Sequence, residues 1–155
     1  MSDENTQYLP AFMVLLDKGS YFTGGPRHWS TGFRPATYQG TMLKTGNEPI
    51  ANLFPPKEVS NERQRGKLDF LAEMNRRHMQ NREYESELEA RIGAYELAYR
   101  MQSAAPEAVE LSQEPAHVKE AYGLDQKQTT DMARCCILAR RMVERGVRFI
   151  ELTCP

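Results

Sequence analysis

"VERGVRFIELTCP", Val143 to Pro155, joins two textures: a helix-like run that closes on Gly146 and an apolar, strand-like run from Val147 to Cys154. A glycine just past a helix accepts left-handed backbone without the steric cost of a Cβ. In open α/β sheets, ligands lie beyond the carboxyl ends of the strands. The run therefore brings Thr153 and Cys154 to the place where such a fold carries its chemistry, although neither has a catalytic partner in the sequence.

A second run of the same kind stands near the other end. After Leu9-Pro10, "AFMVLLD", Ala11 to Asp17, is almost uninterruptedly apolar and too short for a helix of ordinary length. Strands buried on both faces belong mainly to parallel sheets sandwiched between helices. Two of them separated by helical sequence are expected to lie parallel in one sheet through a right-handed crossover. The predicted fold is α/β, with buried strands at about 10–17 and 147–154, three to four helices between them, and a long loop at about 18–56. Two strands do not complete such a sheet, so residues 1–155 read as a single, incomplete α/β domain whose missing strands are expected in sequence beyond this chain.

Between the strands the pattern is helical. Ser60 can cap a helix reaching about Gln80, with Glu62 at the positive end of its dipole and Leu68, Leu71 and Met74 spaced by three. "SELE" places Ser86 and Glu89 at capping-box spacing and opens a second helix, with Leu88, Ile92, Tyr95 and Tyr99 on one face and an expected stop before Pro106. A short helix, Ala116 to Tyr122, ends at Gly123. The last is expected to use Thr130 or Asp131 as its cap and to bury Met132, Cys135, Cys136, Ala139, Met142 and Val143 along one stripe.

Composition narrows the function classes. Hydrophobic residues make up 40% of the chain and charged residues 26%, which excludes a disordered or fibrous chain. Twenty Lys and Arg face 21 Asp and Glu, a net charge of -1. No global field attracts nucleic acid or an acidic membrane, so neither is an expected partner. The acidic start Met1 to Asn5 and the short apolar run Ala11 to Leu16 give no expected export signal. The three cysteines form no disulfide framework or zinc spacing, and Cys135 and Cys136 point to different sides of a helix. All three read as small buried apolar residues.

The candidate chemistry is sparse. Asp17, at the carboxyl end of the first strand, stands where α/β enzymes offer metal ligands, and also where a turn before Lys18-Gly19 favours Asp. His28, His78 and His117 have no partners at ligand spacing. "GSYFTGG" lacks the phosphate-loop lysine and helix, and the basic run from Arg76 to Arg82 is followed by Glu83, Glu85 and Glu87. The most unusual segment is "RHWSTGFRPATYQGT". Its Trp29, Phe33 and Tyr38 supply rigid amphipathic surface, and Arg27, Arg34 and Gln39 supply donors for an anionic or sugar-like ligand. The competing reading is that its aromatics anchor a long loop.

"WSTGFRPATYQGT", followed by "NERQRGKLDFLAEMNRRH", "SELEARIGAYELAYRMQSAAPEAVELSQE", "YGLD" and "CILARRMVERGVRFIEL", resembles the domain-of-unknown-function family 1501, from about Leu9 to the last strand. That family is sulfatase-like and belongs to the alkaline phosphatase superfamily. The resemblance implies an α/β sandwich, exported, periplasmic or extracellular members, and a divalent metal, Zn, Ca or Mg, in the full-length protein. It also implies hydrolysis of small anionic sulfate or phosphate esters, with the metal binding the ester oxyanion and activating a nucleophile. The family's early Asp-containing metal segment and its later Trp-Asp-x-His type segments are not found here, so no residue inherits a catalytic or metal role and no cofactor is expected in this chain. The expected function is that of a central fragment of such a hydrolase, inactive alone. The alternatives are a ligand-binding or interaction module using loop 27–41, and an enzyme completed by partner chains. For the fragment, exposed strand edges are expected to leave the isolated chain poorly soluble, self-associating or partly molten.

Overall fold

Computed as a structural model, the chain is described over residues 8–16, 25–33, 38–44, 50, 53–80 and 86–153. The run after Pro10 forms β1, Phe12–Leu16, and the run after Gly146 forms β3, Phe149–Thr153. They pair directly and in parallel, Leu15 opposite Leu152. Between them in sequence lie α1, Asn61–Met79, α2, Ser86–Val109, α3, Ala116–Tyr122, and α4, Thr130–Glu144. The mixed α/β architecture is the one the apolar runs call for.

The stretch read as loop from 18 to 56 needs correction. It contains a 3-10 turn, Gly25–Trp29, and a third strand, β2, Thr41–Lys44, parallel to β1 with Leu43 opposite Leu15. The sheet order is β2-β1-β3, three strands where two were expected. Four residues with one fully buried side chain, Leu43, carry too little periodicity to announce a strand. β2 exists because β1 offers it an edge.

Met13, Leu15 and Leu43 share one face of the pleat and are fully buried against Met101 and Ala105 of α2 and Leu138 and Met142 of α4. Each side chain contributes about 2 kcal/mol by leaving water. The opposite face carries Phe12 and Val14. Gly40, just before β2, is packed close to Phe12: a Cβ on it would come 2.9 Å from the Phe12 ring and 3.1 Å from Trp29 Cβ. The connection from β2 to β3, through the helices, takes the first face.

Three helix details differ from expectation. α2 does not stop before Pro106 but runs on to Val109. Ala105 and Ala108 are fully buried in the core, and the carbonyls of Glu107 and Ala108 accept hydrogen bonds from Arg141, at 2.7 and 2.9 Å, which supports the last turn. In α4, Thr129 precedes the first helical residue, and the Thr130 hydroxyl donates back to the Gln126 carbonyl at 2.6 Å instead of capping. The buried side of α4 is Ala133, Cys135, Ile137, Leu138 and Met142, whereas Val143 is 58% exposed and Cys136 is half-buried. The stripe is rotated toward α2 and the sheet from the one read in sequence.

α1 begins as expected, with the Ser60 hydroxyl accepting from the Arg63 amide at 3.3 Å, but it buries Ala72 and leaves Leu71 and Met74 exposed. It packs on α2, where Arg65 donates to Glu96 at 2.9 Å and to Asp69 at 3.0 Å and stacks over Tyr99. Buried positions on α2 are Ala90, Met101, Ala105 and Ala108, not the tyrosines; Tyr95 is exposed. Gly123 and Gly146 terminate their helices with φ of 74° and 93°.

Candidate functional site

Three parallel strands end on one edge, at Leu16, Lys44 and Thr153. The order β2-β1-β3 reverses its direction of travel at β1, the arrangement of doubly wound sheets of order 2-1-3, whose ligands sit in the crevice between the first and third strands. By that rule the ligand position here lies at the ends of β1 and β3, beside Leu16 and Thr153. Lys44, Glu151 and Thr153 present their side chains on the same face as Leu16 because register partners share a face. Lys44 and Glu151 are exposed; the half-buried Thr153 hydroxyl donates to the Leu15 carbonyl at 3.2 Å. Thr153 thus fixes the end of β3 to the central strand. Asp17 and Cys154, the neighbours that would extend this edge, lie outside the described residues.

The Lys44 ammonium at one strand end can attract an anion, and the Glu151 carboxylate near another can attract a cationic group. Among the described residues no three His, Cys, Asp or Glu side chains gather as a metal group. The described part of the edge therefore does not compose the ligand set of a divalent ion, and no chemical step is assigned to one.

The aromatic segment lies at the other end of the strands. Trp29 is buried beside Phe12 and Gly40, and its carbonyl accepts from the Gly40 amide at 3.0 Å, immediately before β2 begins. Trp29 anchors the connection. Arg27, Tyr38 and Gln39 are exposed around it, with Tyr38 at 59%, and the Arg27 carbonyl accepts from the Ser30 hydroxyl at 2.8 Å. Arg34 lies outside the described residues. His28, His78 and His117 are exposed and widely separated in the fold's elements.

A further polar constellation has no counterpart in the sequence reading. A cavity of about 510 Å³, lined by Glu107, Glu110, Gln113, Glu114, Arg141 and Arg145 among others, opens where α2 ends and α4 hands over to β3. Glu114 is almost wholly buried; its carboxylate accepts from Arg140 at 2.5 Å and from Arg141. The Arg141 hydrogen bond, and then that of Arg140, holds the Glu114 carboxyl below the usual range against the opposing effect of burial. Arg145 pairs with Glu107 at 3.1 Å. These pairings read as a clasp between the segment before α3 and α4. Its only trace in sequence is the doublet Arg140-Arg141 on the flank of an apolar stripe.

A family model described as "protein of unknown function (DUF1501)" matches residues 1–155, the whole chain. The chain belongs to the DUF1501 family. No curated protein and no solved structure matches it. For this DUF1501 chain the site must be argued from its own residues, and the carboxyl edge of the sheet is the position that the fold itself singles out.

Proposed function

We propose that the chain forms part of a sulfatase-like, metal-dependent hydrolase of sulfate or phosphate esters, with the ester bound at the carboxyl edge of the sheet. The observation that carries this reading is the reversal of strand order at β1, which in open α/β sheets marks the ligand position at the carboxyl ends of the strands, here beside Leu16 and Thr153. Lys44 would attract the ester anion to that edge, and Asp17, following β1, is the one candidate metal ligand nearby in sequence. The isolated 155-residue chain is proposed to show no turnover.

Calorimetric titration with inorganic sulfate and phosphate, with and without Zn, Ca or Mg ions, tests the site. The reading expects binding that Asp17→Asn and Lys44→Met each weaken. No binding, or binding indifferent to both changes, would contradict it. Metal bound stoichiometrically together with hydrolysis of an aryl sulfate or phosphate by the chain alone would contradict its inactivity.

A second reading, a non-catalytic ligand-binding or interaction module, is favoured by one observation. Phe33 is fully exposed and Tyr38 largely so, beside exposed Arg27, around the firmly anchored Trp29. Rigid aromatic surface with an adjacent guanidinium is a common contact for a ligand or partner. Loss of anion binding in Arg27→Ala or Tyr38→Ala, with Asp17→Asn unaffected, would move the site to this end of the sheet.

A further inference from the structure

We draw no further inference here: the strongest candidate, the polar cavity of about 510 Å³ between the end of α2 and the last turn of α4, carries nothing because its buried carboxylate, Glu114, is held by Arg140 and Arg141 and its Arg145 by Glu107, and nothing in the structure shows what ligand it would take.

Discussion

Glu114 is a carboxylate taken out of water and held by two guanidiniums, and its energetics follow from that. Removing one partner of a buried ionic group costs far more than the pair contributes, because the remaining charges stay desolvated. Glu114→Gln should destabilise the fold by about 3 kcal/mol, read by urea denaturation at neutral pH. Its folded pKa is lowered, so the stability it contributes is fully present above the unfolded carboxylate value of about 4.3 and is lost as pH falls through the folded value. The acid limb of a stability-versus-pH curve should therefore flatten in Glu114→Gln. Gly40 makes a different demand, for space: a Cβ would meet the Phe12 ring and Trp29. Gly40→Val should cost about 1–3 kcal/mol, the range for overpacking a filled site, with a lowered melting temperature as the readout. None of this is legible in sequence, since Glu114 meets its arginines only after α4 folds back beside α2, and Gly40 meets Trp29 only once β2 pairs with β1.

At the scale of elements, legibility follows length and periodicity. β1 and β3 were readable because each is an apolar run longer than any turn, and helix ends at Gly123 and Gly146 were readable because a left-handed position selects glycine. β2 was hidden because TMLK places only Leu43 fully in the core. Pro106 misled because its missing amide is tolerated within the final turns of α2, where Arg141 binds the following carbonyls. The rotation of α4 gives a direct check. Leu138→Ala, at a fully buried position, should cost about 2–5 kcal/mol, while Val143→Ser should stay within about 0.5 kcal/mol, by chemical denaturation of both variants. A larger effect of Val143→Ser than of Leu138→Ala would mean that the helix presents the face read from sequence.

The whole molecule combines a buried central strand with an open flank. Met13, Val14 and Leu15 are shut away, yet Phe149 on β3 is 70% exposed and Leu152 is partly so, on a strand paired along one side only. Unprotected strand edges template further pairing. Light scattering should show self-association rising with concentration, and Phe149→Lys should reduce it, since edge lysines oppose pairing.

The two candidate positions lie at opposite ends of the parallel sheet: the anchored aromatics stand at the amino ends of the strands, and the strand order reverses at β1, which by the rule for open α/β sheets favours the carboxyl ends. The most direct measurement is an amide chemical-shift titration of the isotope-labelled chain with inorganic sulfate and phosphate in the presence of a divalent ion. A site at the carboxyl edge predicts saturable shifts clustered at Leu16, Lys44 and Thr153, with Trp29 and Tyr38 unmoved. Shifts confined to Arg27, Trp29, Tyr38 and Gln39, or no saturable shift at either end, would contradict it.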